Sequence, residues 1–457
     1  MGRLLLIFGV VTLLATTWGA RPRPAVKLSG PVVIYLVDTL RQDRVSPYGA
    51  PRDTTPSAAA LAREGIVFEN AYSISSWTRP SVATLFTSLL PSEAGTIDRR
   101  GVLRDGAPTL AEMLRSFGLS TAAFVANGNV FDRRVGFHRG FDTFVTTAGS
   151  PGAPATASEA VDRAVAFVEA QQSPRFFVYV HVIDPHVPYV LAPPYSALFA
   201  DSPAPATERE RLLLSYDRCV RRADDAFGKL ADALRKKGFW DEATVLYTSD
   251  HGEEFLEHGG LYHGSSLYEE QVRIPLILKL PGAAHAGERR RDAVTLADVV
   301  PTMAALAQAP ASNGWIGRSL LESGERPLYF TEDLDENRLY AMRVGSSKLI
   351  VRLYPTFERR LFDLESDPGE KTGEDLRCDA AVPPRGREAA SLLASWRRRD
   401  LELYPSLRLV KTGDEPVRVD WELSFLLARR PFLTAEDSCA LSPLVKDGAL
   451  EIHREVR

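Results

Sequence analysis

Residues 31–38, Pro31-Val32-Val33-Ile34-Tyr35-Leu36-Val37-Asp38, decide the fold. A continuous apolar, β-branched run that ends on a carboxylate is the mark of a strand buried on both faces. Both faces of a sheet are covered only where helices pack above and below it. Outward from this strand the pattern alternates. Residues 56–64 read as helix and 66–70 as strand, and a second helix opens at Thr78-Arg79-Pro80, where Pro80 suits the first turn. Helices follow at 109–117 and 160–171, with strands at 120–126 and 176–183. An amphipathic helix spans about 208–237 and stops at Gly238. Strands at 244–248 and 274–280 and a helix at 296–306 complete the series. The expected fold class is therefore α/β, a mostly parallel sheet sandwiched by helices. After about Glu325 shorter runs (339–344, 348–353, 361–364) read as an antiparallel meander, followed by a charged helical stretch at 387–401. These predict a smaller C-terminal α+β subdomain. The last 50 residues, 408–457, carry no readable pattern.

With 457 residues, 45% hydrophobic and 25% charged, the chain is neither disordered nor a polytopic membrane protein. Its formal charge of −4 leaves no electrostatic footprint for nucleic acid, which is not expected as a partner. Arg3, the apolar run Leu4 to Leu14 and the small residues up to Ala20 read as an export signal, with a retained anchor as the alternative. The cut site is imperfect, since cleavage after Ala20 places Trp18 where a small residue is preferred. A periplasmic or secreted protein with no membrane span beyond this segment is expected. Cys219, Cys378 and Cys439 lack metal-site spacing. Cys378 and Cys439 can pair in an oxidising compartment, whereas Cys219 fits a buried helical position.

Polar residues stand where strands end, which is where open α/β sheets build their sites. Asp38 ends the first strand, Asp250-His251 follows another, His186 follows a third, and Thr78 lies at a helix mouth. Two carboxylates and an imidazole converging from separate strand ends make a divalent-metal site, with Asp38, Thr78, Asp250 and His251 as the expected ligands.

Six blocks in order resemble the sulfatase family of the alkaline phosphatase superfamily, over roughly residues 31–375. Residues 34–43 (Ile34 to Asp43) resemble its opening strand and metal-binding Asp. Ser76-Trp77-Thr78-Arg79-Pro80-Ser81 resembles the nucleophile motif, and Asp184-Pro185-His186 the substrate-histidine motif. Ser249-Asp250-His251-Gly252-Glu253 is similar to the second metal motif. Residues 263–276 and 361–370 are similar to two further blocks. The resemblance implies an alkaline-phosphatase-like fold; with the apolar start and the change of pattern after Glu325, the expected division is a signal (1–20), a sulfatase-like catalytic domain (21–325) and a subdomain with tail (326–457).

Sulfatases of the main type oxidise the Cys or Ser of a C/S-x-P-x-R motif to formylglycine. Here that residue is Thr78 and the motif's Arg is Val82. Threonine cannot give the aldehyde because its β-carbon bears a methyl group. The resemblance thus points to the branch that uses an unmodified threonine, including phosphoethanolamine- and glycerophosphate-transferring enzymes. A cation-bound Thr78 hydroxyl is a nucleophile near neutral pH, and attack on phosphorus or sulfur gives a covalent threonine ester. A phospho-threonine is released by the same in-line attack that made it, whereas a sulfo-threonine needs water to attack sulfur. A phosphate ester is therefore favoured over a sulfate ester.

By resemblance, His186 contacts the transferred group or protonates the leaving oxygen, and His263 takes the place of a second catalytic cation. Asn127, His181 and Arg79 are candidates for substrate contact, and His258 flanks the motifs. Arg41, Asp43, Glu269 and Arg273 read as structural ion pairs or caps. The family's usual Ca²⁺ shell is all oxygen. Thr39 and His251 in place of Asp and Asn tilt one expected ion towards Mn²⁺ or Zn²⁺, with Ca²⁺ retained as an option. The expected partner is an anionic ester, on a glycan or a lipid headgroup. The alternatives are a sulfatase proper, a phosphoryl transferase and a non-catalytic sulfatase-like binding protein.

Overall fold

The computed structural model describes residues 26–127, 132–147, 157–200, 204–334, 337–354, 358–376 and 382–402. The expected signal, Cys378, Cys439 and residues 408–457 lie outside them.

The main sheet contains β1 (Val32–Val37), β2 (Ile66–Tyr72), β3 (Ser120–Val125), β4 (Thr143–Thr146), β5 (Phe176–Val182) and β6 (Thr244–Thr248). After a small hairpin of β7 (Glu254–Phe255) and β8 (Leu261–Tyr262) come β9 (Arg273–Ile274), β10 (Leu276–Lys279) and β11 (Arg289–Thr295). The strand order is β11-β2-β10-β6-β1-β5-β3-β4, with β9 pairing β2. The run from β6 to β4 is parallel, and β10 is antiparallel to both its neighbours. The strand expected over 274–280 is split because Pro275 has no N–H to give the ladder.

Among the described residues the helices around this sheet are α1 (Pro56–Glu64), α2 (Thr78–Thr87), α3 (Pro91–Ala94), α4 (Leu110–Ser116), α5 (Ala157–Ala170), α6 (Glu208–Lys236) and α7 (Glu269–Val272). They are joined by α8 (Val299–Ala307). β1 explains the layering. Val32, Ile34 and Leu36 pack with α2, α4 and α8 on one face, while Val33, Tyr35 and Val37 pack with α1, α5 and α6 on the other. Every residue of β1 is buried, so a period of two vanishes and a continuous apolar run remains.

A second, antiparallel sheet orders β12 (Leu328–Leu334), β13 (Asn337–Val344), β14 (Ser347–Tyr354), β15 (Glu358–Asp363) and β16 (Glu374–Asp375). α9 (Arg387–Glu402) packs on it, with Trp396 stacked on Tyr329 at 5.4 Å. One side of this sheet meets Tyr72, Leu267 and Val272 of the main domain through Phe330, Leu339 and Phe362. The two sheets share a core.

α1 is capped from outside its own sequence. Its N-cap Thr55 makes no side-chain cap bond. Instead Asp224 of α6, fully buried, accepts from the N–H groups of Ser57 (2.7 Å) and Ala58 (2.9 Å). Burial outweighs these donors and pushes the Asp224 carboxyl up to about 7. A folded-state value above the unfolded one means that the native protein holds a proton the unfolded chain has lost. That contribution is complete below about pH 4 and declines up to about pH 7, by an amount of order 4 kcal/mol. The expected result is that Asp224→Asn, which cannot ionise, becomes progressively more stable relative to the parent between pH 4 and pH 8. Paired denaturation curves across that range test it, and a stability difference independent of pH would refute the assignment.

Candidate active site at the ends of four parallel strands

β6, β1, β5 and β3 are neighbours, and each delivers a polar side chain at or just past its carboxyl end: Asp250 and His251, Asp38, His181, and Asn127. Asp38 continues the β1 ladder, donating its N–H to Val182 O (2.9 Å). The next residue, Thr39, takes a left-handed φ of 58°. This turn is held by Tyr216 of α6, whose hydroxyl donates to Thr39 O (2.6 Å) and accepts from Arg41 N–H (2.9 Å). A non-glycine residue held there stores strain that the surrounding contacts must support.

The two carboxylates are each half used. Asp38 Oδ2 accepts from His181 Nε2–H (3.1 Å) and Asn127 Nδ2 (3.0 Å), while Oδ1 has no hydrogen-bond partner among the described residues. Asp250 Oδ1 accepts from the N–H groups of Thr39 (3.1 Å) and His251 (3.0 Å), while Oδ2 has no hydrogen-bond partner among the described residues. The buried Thr39 hydroxyl likewise has no partner among the described residues. His251 donates Nδ1–H to Gly252 O (2.9 Å), which leaves the Nε2 lone pair facing inward. That nitrogen stands 3.2 Å from Thr78 Oγ1, 3.5 Å from Asp250 Oδ2 and 3.9 Å from Asp38 Oδ1.

The electrostatics agree with this geometry. Burial and the neighbouring charge of His263 drive His251 down to about 3, so its ring is neutral. Burial and repulsion from Asp38 raise Asp250 well above the carboxylate range. Burial also opposes the charge on Asp38, but the His181 hydrogen bond and the adjacent imidazoles hold it below that range. Orphaned carboxylate oxygens, a buried hydroxyl and a neutral imidazole nitrogen within a few ångströms of one another make a candidate donor set for a divalent cation. Asp38, His181 and Asp250 have ligand atoms within 4.8 Å of one another.

Thr78 is the first residue of α2, all ten of whose residues are buried, and Trp77 before it is extended. The hydroxyl therefore sits at a helix amino terminus, where free N–H groups favour negative charge. On the far side, His263 Nδ1 donates to the buried Glu253 Oε1 (2.9 Å), and its ring lies 4.5 Å from His251 and 5.0 Å from His186. Burial works against a charged His263, yet Glu253, Asp38 and Asp250 together raise it above the ordinary imidazole value. Glu253 closes the 249–253 motif, whose pattern alone assigns it no role; its role is to orient His263.

Thr78, Asp250, His251 and Asp38 are thus brought together, with His186 and His263 across from them. The three residues expected at the substrate are placed otherwise. His181 is fully buried behind Asp38, with Tyr179 O–H donating to its Nδ1 (3.0 Å), and Asn127 also supports Asp38. Arg79 turns its guanidinium onto the carbonyls of Arg99 and Gly101 (3.1 Å for the latter). Sequence cannot tell a ligand from the residue holding it, because both lie at strand ends. Asp184, beside His186, caps α5 through Ala157 N–H (2.5 Å) and pairs with Arg222. His258 pairs with Glu270 (2.7 Å) and stacks on Tyr268 at 3.7 Å.

With this geometry in hand, the likeness to known proteins is specific. The sequence pattern of the sulfatase family matches residues 31–309, so the chain belongs to the sulfatase family of ester hydrolases, on an alkaline-phosphatase-like fold. It is 26% identical over 452 residues to a choline-sulfatase of Rhizobium meliloti (strain 1021), covering 80% of this chain and 85% of that one. A solved structure in complex with its substrate D-glucosamine-2-N,6-O-disulfate superposes with a TM-score of 0.69 at 20% identity, covering 82% of this chain and 99% of that one. A phosphonate monoester hydrolase of Agrobacterium radiobacter superposes with a TM-score of 0.66 at 18% identity, covering 82% and 95%.

Proposed function

We propose that this protein is an exported, metal-dependent hydrolase that cleaves an anionic ester through a covalent intermediate on Thr78, with a phosphate ester favoured over a sulfate. The observation that carries the reading is the approach of Thr78 Oγ1 to His251 Nε2 at 3.2 Å, beside the unbonded Oδ1 of Asp38 and Oδ2 of Asp250. Those four side chains would hold one divalent cation, Mn²⁺ or Zn²⁺ in preference to Ca²⁺ because one donor is an imidazole nitrogen. When bound, the cation supplies Lewis acidity to the attacking hydroxyl and to the ester oxygens.

The chain's own groups do the rest. His251 fixes the position of the Thr78 hydroxyl through Nε2, and the amino end of α2 faces the charge that develops on the transferred group. His181 and Asn127 hold Asp38 through Oδ2 and so present Oδ1 inward. His263, oriented by Glu253, is placed to protonate the departing oxygen, and His186 stands beside it. Threonine decides the substrate class. Its ester has no collapse route of the formylglycine kind, and in-line water attack releases phosphate more readily than sulfate. Residues 1–20 supply the export signal.

Elemental analysis of the purified protein, followed by mass spectrometry of the Thr78 peptide during turnover of nitrophenyl phosphate, phosphodiester and sulfate esters, tests the proposal. One divalent ion per chain and a phosphoryl mass on Thr78 are expected. A cation-free protein inactive on all three ester classes would instead favour a binding role. A separate expectation concerns His263→Gln. It should lower kcat by about 10²–10⁴-fold on alkyl esters and far less on nitrophenyl esters, whose leaving groups need no proton. Equal losses on both would remove His263 as the acid.

A further inference from the structure

The turn that presents the nucleophile is not held by its own domain alone. β12 runs beside it, with Thr331 N–H donating to Ile74 O (2.9 Å). The next residue on that strand, Glu332, is 1% exposed and reaches across to the turn. Its Oε2 accepts from Ser75 Oγ (2.7 Å), Ser76 N–H (2.9 Å) and Ser76 Oγ (2.8 Å). From the other side, Gly264 N–H, next to His263, donates to Ser76 O (3.0 Å). Ser76 is therefore clamped between the second sheet and the histidine loop, two residues before Thr78.

We infer that Glu332 is a positioning residue for the Thr78 nucleophile, so that the C-terminal sheet forms part of the active site's framework. The inference rests on the reading of Thr78 as the nucleophile. Its physical ground is the oddity of the arrangement. Among the described residues Glu332 has only neutral donors as hydrogen-bond partners, and its Oε1 has none. An acid buried in this way costs stability, because no cation offsets its desolvation. What the carboxylate supplies instead is a single oxygen that accepts three bonds and fixes two consecutive serines. A glutamine at this place would set its NH₂ or its lone oxygen against two hydroxyls and hold the turn less tightly. Attack on phosphorus or sulfur is sensitive to displacements of about 1 Å, so a looser turn lowers the chemical step without weakening substrate binding.

The test compares the full-length parent with Glu332→Gln and with the double variant Ser75→Ala/Ser76→Ala, using nitrophenyl phosphate. The readouts are kcat, KM, cation content, thermal unfolding and the rate at which mass appears on Thr78. Glu332→Gln should lower kcat and the rate of Thr78 modification together by about 10–100-fold. KM should stay within about twofold, the cation should be retained, and the melting temperature should not fall. The serine double variant should show the same split, and combining all three changes should add little more, because the groups form one unit. A wild-type Thr78 that never carries the group would overturn the nucleophile reading and this inference with it. A modified wild-type Thr78 whose formation rate is unchanged in Glu332→Gln would overturn this inference alone. So would a loss of kcat that merely tracks loss of cation.

Discussion

Thr78→Ala loses about 10⁴-fold in kcat on its best ester substrate, keeps its cation and melts within a few degrees of the parent. The magnitude follows from the removal of a nucleophile whose partners remain in place, which leaves only electrostatic stabilisation and binding. The small stability change follows from the geometry. The Thr78 side chain lies at the mouth of α2, not in the hydrophobic layer beneath it, where Val82, Ala83 and Phe86 pack on the sheet. Thr78→Ser retains the hydroxyl and should keep activity within about tenfold, the cost being a freer rotamer once the γ-methyl group is gone. Steady-state kinetics with mass spectrometry of the same samples decides the matter. If Thr78→Ala keeps more than about a tenth of the parent rate, water attacks directly and no threonine ester lies on the path.

The second large effect is expected at Asp250. Asp250→Asn should abolish stoichiometric cation binding and lower kcat by at least about 10³-fold, since an anionic ligand is lost and with it the Lewis acid that activates the Thr78 hydroxyl. Stability should move in the opposite sense. In the absence of a cation Asp250 and Asp38 repel within a buried space, and burial with that repulsion raises Asp250 far above its unfolded value. A raised folded value means that the stability contribution is present at low pH and lost as pH rises. At neutral pH the cation-free parent is therefore destabilised, and Asp250→Asn should melt higher than it does. Adding the divalent ion should raise the melting temperature of the parent and leave the variant unchanged. His181→Phe is the contrasting case. It leaves all four donors and removes one support of Asp38, so cation affinity should fall by only about 10–100-fold. Calorimetric titration of the three proteins separates a ligand from its support.

Much of the fold was legible because burial on both faces writes itself into a strand as an unbroken apolar run. β1, β5 and β6 lie close to their expected positions for that reason. The strands missed are those whose surroundings are asymmetric. β11 reads Arg-Arg-Arg-Asp-Ala-Val-Thr over 289–295, an edge strand whose charged half faces solvent, and no periodicity in composition marks it. β4 is the opposite edge and only partly buried, and β12 reads as apolar residues broken by Thr331, Glu332 and Asp333.

The sequence by itself determined which chemistry is available: a threonine where an oxidisable residue would stand, an imidazole among carboxylates, and each at the end of an element that local pattern defines. The tertiary structure alone decided which atoms are free to act. Asn127 and His181 bind Asp38, Arg79 turns to the 99–101 segment, and Glu332 reaches the nucleophile turn from 254 residues further along the chain than Thr78. Residue type and backbone period are local properties, carried by a few neighbours in the chain. The direction of a lone pair is set by whichever groups close packing brings against it, and those are distant in sequence.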